Sequence, residues 1–441
     1  MSSVSKEPYK GCRDFFPKDK RKLNFIFQKM AQAAESFGFE PYDGPVLESL
    51  DLYLAKSGEE LINEQIYRFT DRGDREVAIR PEMTPTLARM VAQVHRETPK
   101  PMRWYAIPNL MRYEKPQRGR LREHWQFNAD IFGAPAGLGE VEILLLIIHF
   151  LESFGANATH ASLLLNDRRI VDGFFSHCLK IDDQKKYKIY KILDRAKKIT
   201  PEALQAQLTE TLMNTEHVNK TLEYLNLSSI ESLKKFITAN NLSLAGEEFL
   251  SICQKLNDNG LSNYLTFDPT IVRGLDYYTG LVFEVFDKHP ENKRAICGGG
   301  AYANLLQIFN EPPMPGIGFG MGDVTLTDFL ETHNLLPKEF SPNIDLICAY
   351  LSAKAEPLAW KLANDLRKQQ IKVELMLGDQ KPKKVFQLAE HKKHHYAIIL
   401  GDQEVDSGQI ELKNLKTKES FKFLNDSALI KNILQKISSG A

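Results

Sequence analysis

The sequence predicts an α+β protein: an antiparallel sheet domain backed by helices and interrupted by a helical insertion, then a small α/β domain. Three observations predict it. Short β-rich segments separated by turns, with helices gathered at intervals, occupy the first third of the chain and return after residue 277. From about residue 166 to 261 the texture changes to helix. From residue 344 strands and helices alternate β-α-β-α-β, the pattern of a partly parallel sheet. The expected domains are 1–165 with 262–333, the insertion 166–261, and a terminal domain 343–430. A chain of 441 residues is too long for one ordinary core, which agrees with this division.

In chain order, Leu23, Ile26, Phe27, Met30, Ala34 and Phe37 recur at helical spacing, and Gly38 stops that helix. Residues 65–70, 77–79 and 103–107 read as strands, and a further pair flanks the loop between Met111 and Gln126. Thr200-Pro201-Glu202 opens an insertion helix, because threonine caps and proline suits the first helical position. Strand character returns at residues 277–286, in Gly298-Gly299-Gly300 and at 316–322. A linker with Pro337 and Pro342 leads to strands at 344–351, 373–377 and 397–400, separated by helices at 355–370 and 382–393.

Composition excludes several classes of function. The 57 basic and 57 acidic side chains cancel, which argues against a general polyanion binder and leaves room for local basic patches. Five scattered cysteines without a CxxC pair indicate neither a disulfide framework nor a zinc site, so a reducing cytoplasm is expected. The first eight residues hold no apolar region and do not read as a secretory signal. The longest apolar run, 143–151, falls short of the ~20 residues that span a bilayer, so no membrane insertion is expected.

Five segments carry candidate chemistry. Arg112 and Glu114, on one face of an expected strand, precede a loop with Gln117, Arg118 and Arg120; His124, Gln126, Asn128 and Asp130 follow on the return strand. Arginine forks suit phosphate oxygens and a glutamate can hold an exocyclic amine, although a solvated hairpin with surface charges has the same composition. In Arg80-Pro81-Glu82-Met83-Thr84-Pro85-Thr86 the carboxylate and hydroxyls can bind an ammonium group, or Thr84 or Thr86 can cap a helix. Arg273-Gly274-Leu275-Asp276-Tyr277-Tyr278 places a cation beside hydroxyls; a structural Arg273 would need a carboxylate such as Asp276. Cys297-Gly298-Gly299-Gly300-Ala301-Tyr302 permits close approach to a ligand and offers a hydroxyl, while a glycine run is also a plain turn signal. Gly316-Ile317-Gly318-Phe319-Gly320-Met321-Gly322 leads to Asp323, Val324 and Thr325. His391, His394 and His395 sit at a lysine-rich helix end and read as surface residues rather than a metal site.

These segments together resemble the histidyl-tRNA synthetase family of class II aminoacyl-tRNA synthetases, from about Tyr9 to Phe423. The Arg112 hairpin resembles motif 2, which binds ATP and the tRNA acceptor end, and Gly44-Pro45-Val46-Leu47-Glu48 resembles motif 1, the dimer interface. The resemblance implies L-histidine held by Glu82, Thr84, Gln126, Asp130, Tyr278 and Tyr302, with Arg112 and Arg273 as catalytic cations at the α-phosphate. It implies ATP, with its Mg²⁺, at Arg112, Glu114, Arg120, His124 and Thr325, and histidine tRNA at Gln117, Arg118, Lys383 and Lys384. A cytoplasmic homodimer is implied, and the terminal domain resembles an anticodon-binding domain, although a lysine-rich solvated face has the same composition. The sequence departs from the family at Ala301 and Ala303, where arginine and aspartate are usual, and at Val324-Thr325, where motif 3 carries Glu-Arg. That last departure implies that His124, Mg²⁺, Arg118 and Arg120 carry more of the ATP binding. It also leaves a second reading, a non-catalytic histidine-sensing paralogue such as the regulatory subunit of ATP phosphoribosyltransferase.

Overall fold

The structure, a computed structural model, describes residues 4–55, 61–272, 278–378 and 380–439. The chain divides into two compact units, Met1–Asp14 with Phe25–Pro337, and Phe15–Asn24 with Lys338–Ala441.

Helix α1 (Pro17–Ser36) enters the first unit from Phe25, and strand β1 (Glu40–Pro41) follows. Next come β2 (Leu47–Ser49), α2 (Leu50–Leu54), β3 (Tyr67–Thr70) and β4 (Glu76–Ile79). These three strands form a small antiparallel sheet in the order β2-β4-β3. Helix α3 (Thr84–Val94) leads to β5 (Met102–Ala106), β6 (Asn109–Met111), β7 (Glu123–Phe132), α4 (Leu138–Glu152) and β8 (Ala161–Asp167). Six helices then run without an intervening strand: α5 (Arg168–Gly173), α6 (Asp183–Arg195), α7 (Pro201–Leu212), α8 (Thr215–Leu225), α9 (Ile230–Ala239) and α10 (Ser243–Asp258). The unit closes with β9 (Leu265–Phe267), β10 (Leu281–Asp287), β11 (Ala295–Tyr302), β12 (Gly316–Gly322) and α11 (Asp323–Thr332).

The large sheet runs β1-β5-β7-β12-β11-β10-β8-β9, with β6 beside β7. Its centre is antiparallel, as the sequence led us to expect, but β1 lies parallel to β5 and β9 parallel to β8, so the sheet is mixed. The apolar run at 143–151 is the core helix α4, apolar on nearly every side and buried against the sheet; no described helix is long and apolar enough to cross a membrane. Thr200 caps α7 by accepting the Ala203 N–H at 3.3 Å. The six helices share the sheet's core: Phe174 stacks on Tyr224 at 5.7 Å, and the Tyr224 hydroxyl donates to Asn166 Oδ1 at the end of β8.

In the second unit β13 (Leu346–Tyr350), α12 (Glu356–Lys368), β14 (Val373–Leu375), α13 (Pro382–Lys392) and β15 (Tyr396–Leu400) realise the expected alternation. After α14 (Asp402–Ser407), β16 (Gln409–Asn414), β17 (Ser420–Leu424) and α15 (Leu429–Ser439) complete it. The sheet order is β14-β13-β15-β16-β17, with the first three strands parallel and the rest antiparallel. One expectation fails here: His394 is buried, not on the surface. Lys393 turns the chain inward in the left-handed region (φ +58°), and His394 Nε2 meets Glu374 Oε2 at 2.8 Å.

Candidate active site

The floor of the site is built by β7, β12 and β11. Alternate residues of β7 share a face, so Gln126, Asn128 and Asp130 line up opposite Gly322, Gly320 and Gly318 of β12. The glycines are sites of close approach. A Cβ on Gly318 would stand 1.8 Å from Asp130 Oδ1, and one on Gly320 would stand 2.2 Å from Gln126 Nε2. The spacing of glycines in β12 thus matches the spacing of polar side chains that lie over it.

Asp130 is 3% exposed and accepts the Tyr302 hydroxyl on Oδ1 at 2.6 Å. Its Oδ2 is equally buried and has no partner among the described residues. Burial pushes this carboxyl up to about 7, with the Tyr302 hydrogen bond acting in the opposite direction. The Tyr42 hydroxyl, also buried without a partner, is raised well above its ordinary value by burial and then by the charge of Asp130. Sequence reasoning missed Tyr42, because a tyrosine between Pro41 and Asp43 reads as part of a turn. Two buried polar atoms without a partner among the described residues suit a ligand that both donates and accepts.

Glu82 is buried directly before α3, and Thr84 is the first residue of that helix. The N-cap position is Met83 without a side-chain cap, and the Thr86 hydroxyl turns to Glu48 Oε1 at 3.1 Å, so neither threonine caps. Arg80 holds this corner in place: it donates to Asp43 Oδ1 at 2.7 Å, to the Gly44 carbonyl at 2.8 Å and to the Asn109 carbonyl at 3.0 Å. Tyr278 is buried, its ring 2.7 Å from where a Cβ on Gly300 would stand. Arg273, Asp276 and Tyr277, on which the sequence reading leaned most, lie outside the described residues.

The other end of the site is cationic. Arg112, Glu114, Arg120, His124 and Thr325 surround a cavity of about 120 Å³, and Arg112, Arg120 and Thr325 also line a larger cleft of about 990 Å³ with Gln117 and Arg118. Arg112 and Glu114 are not on a regular strand as expected: β6 ends at Met111. The chain beyond it is held by single contacts, Arg112 N–H to the Arg122 carbonyl and Arg112 Nε to the Pro81 carbonyl, both 2.8 Å. Arg120 pairs with buried Glu114, while Arg118 reaches Glu291 at 3.4 Å and Asn292 at 2.9 Å. The two loop arginines expected to carry extra ATP binding therefore already have protein partners. Burial and the nearby Arg112 hold His124 down at about 3, so its ring is neutral at ordinary pH. Thr325 hydrogen-bonds the Ile296 and Gly322 carbonyls and adds no charge. Asp323, also missed in the sequence, ties α11 to β7 by accepting the Trp125 N–H at 2.9 Å and Arg13 Nη2 at 2.8 Å. Lys383 and Lys384 are exposed on α13, in the second unit.

A six-stranded antiparallel centre with a polar floor and a cationic hairpin, followed by a second unit with a mixed five-stranded sheet, defines a class II aminoacyl-tRNA synthetase fold with an anticodon-binding domain. The Histidyl-tRNA synthetase family model matches residues 11–324, and the Anticodon binding domain model matches 345–436. The chain is 42% identical to the histidine–tRNA ligase of Leptospira biflexa, over 97% of each protein. It belongs to the histidyl-tRNA synthetase family. Among solved structures, the histidyl-tRNA synthetase of Nostoc sp. PCC 7120 shares the fold with a TM-score of 0.79 at 22% identity, covering 98% of this chain and 100% of that one. A Bacillus halodurans protein described as an ATP phosphoribosyltransferase regulatory subunit/histidyl-tRNA synthetase shares it with a TM-score of 0.75 at 20% identity, covering 91% and 99%.

Proposed function

We propose that the chain activates L-histidine with ATP and transfers it to the 3′ end of histidine tRNA. The observation that carries this reading is the buried Oδ2 of Asp130, without a partner among the described residues, whose charge acts on the buried Tyr42 hydroxyl, in a chain of this family. An imidazole offers what that slot lacks, an N–H donor and a second ring nitrogen. Asp130 accepts the N–H, Tyr302 holds the carboxylate in place, and Gln126 and Tyr278 flank the ring. Glu82 and Thr84 take the substrate ammonium.

The histidine carboxylate oxygen then attacks the α-phosphorus of ATP in line, and the bond to the β-phosphate oxygen breaks, releasing pyrophosphate. Arg112 faces the non-bridging oxygens on which charge builds, and the family signature gives Arg273 the same task. Glu114 and the neutral His124 ring hold adenine. Mg²⁺ accompanies the triphosphate; among the described residues no group of three or more acidic, histidine or cysteine side chains could hold a metal by itself. In the second step the terminal ribose hydroxyl of tRNA attacks the activated carbonyl, and AMP leaves.

Gln117 and Arg118, at the mouth of the large cleft, suit the acceptor end, and the exposed Lys383 and Lys384 suit backbone phosphates. Val46 and Leu47, 55% and 47% exposed around edge strand β2, support a homodimer formed through motif 1. The scattered cysteines, free in the structure, suit a reducing, cytoplasmic site of action. The test is ATP–pyrophosphate exchange with each of the twenty amino acids. Exchange with histidine alone is expected; histidine binding without exchange would instead favour a histidine-sensing protein.

A further inference from the structure

The cationic cleft leaves a chemical gap. A nucleoside triphosphate is strongly anionic, yet Arg120 is paired with Glu114, Arg118 with Glu291, and position 325 carries a neutral hydroxyl tied to two backbone carbonyls.

Arg294 stands directly before β11 and was not a sequence candidate. It lines the large cleft together with Arg112, Arg120 and Thr325. Its stem lies across the turn of the motif 2 loop. A Cβ on Gly119 would meet Arg294 Cδ at 2.9 Å, Thr325 Cγ2 at 3.3 Å and Arg294 Nε at 3.7 Å. Gly119 (φ +72°), residue 325 and the Arg294 side chain therefore converge on one point. Among the described residues Arg294 makes no ion pair or hydrogen bond. Burial and the like charge of Arg120 hold its pKa below the usual guanidinium value, with Glu114 opposing them. A guanidinium in such surroundings gains most from an added anion, and its fork suits phosphate oxygens.

We propose that Arg294 binds the polyphosphate of ATP, supplying from the β10–β11 loop the cation that position 325 does not carry. The two positions are alternatives because they share space beside Gly119: a long side chain at 325 would compete with the Arg294 stem, and the short threonine leaves that space to it. Glu291 and the Asn292 side-chain oxygen at the cleft already engage Arg118, whereas Arg294 has no ion pair or hydrogen bond among the described residues. The inference rests on the adenylation reading above.

The test uses the full-length protein, with Mg²⁺–ATP binding followed by calorimetry and histidine-dependent exchange measured in parallel. Arg294→Ala is expected to weaken ATP binding and raise the ATP KM by about tenfold or more, the scale of one charge-assisted hydrogen bond, with the histidine KM within about twofold. Arg294→Lys is expected to fall between, keeping charge without the fork. Adding Thr325→Arg to Arg294→Ala is expected to restore ATP binding to within about threefold of the wild type. Unchanged ATP affinity in a folded Arg294→Ala, verified by its thermal midpoint, overturns the proposal. So does a variant that loses only tRNA affinity in aminoacylation, which would make Arg294 an acceptor-end contact. A wild-type protein that binds ATP in an Arg294-dependent way but shows no exchange supports this inference and overturns the adenylation reading alone.

Discussion

Asp130 concentrates the electrostatic cost of the site. Its carboxyl is raised from 3.8 to about 7 by burial, so the folded chain binds a proton there that the unfolded chain releases at lower pH. The sign follows: stability is lost as pH rises from about 4 through 7, because ionising the buried acid favours unfolding. Ligand binding runs the other way, since only the carboxylate is a full acceptor for an imidazole N–H. Asp130→Asn is therefore expected to flatten the fall in thermal midpoint between pH 5 and 8 and to raise the histidine KM by about tenfold or more. A histidine KM that is unchanged in the variant would remove Asp130 from the pocket. His124 shifts oppositely, to about 3, so acid conditions below 6.5 cost stability through it while its neutral ring persists at working pH.

Among the elements, the motif 2 turn depends on one glycine. Gln117 and Arg120 bond each other's backbones at 2.9 Å, and Gly119 between them adopts a left-handed φ of +72° with Arg294 and Thr325 pressed against it. Gly119→Ala adds both backbone strain and a collision with Arg294 Cδ. The expected outcome is an ATP KM raised by about threefold to tenfold with histidine affinity retained, read by exchange kinetics. Strand β12 shows how far element-level features were legible. Its alternating glycines were visible in the sequence, where 316–322 reads as a strand, but nothing along the chain says what lies over them. Their use as slots for Asp130 and Gln126 emerges only from the β7–β12 register, which pairs Gly318 with Asp130 and Gly320 with Asn128.

At the scale of the molecule, Val46 and Leu47 are two of the exposed apolar side chains, and they lie in the segment that resembles motif 1. Val46 precedes and Leu47 opens β2, an edge strand of the small sheet, and Arg80 fastens the same segment to the site through Asp43 and Gly44. If the motif 1 segment is where two copies meet, Leu47→Asp should shift the sedimentation of the protein from dimer to monomer at micromolar concentration. Exchange activity should fall with it, because the Arg80 corner carries Glu82 and Thr84. A variant that sediments like the wild type would exclude this face.

The amino-acid sequence alone determined the order of textures and the family, because periodicity and short motifs are local properties of the chain. It also pointed to Arg112, Glu114, Arg120, His124 and Thr325, which converge on one cavity. Tertiary structure alone decided which charges are already spent. Arg118 and Arg120 meet Glu291 and Glu114, His394 is buried against Glu374, and Tyr42 and Arg294, neither a candidate from the sequence, join the site. Pairing and burial depend on neighbours tens to hundreds of residues away, and spacing along the chain carries no record of them.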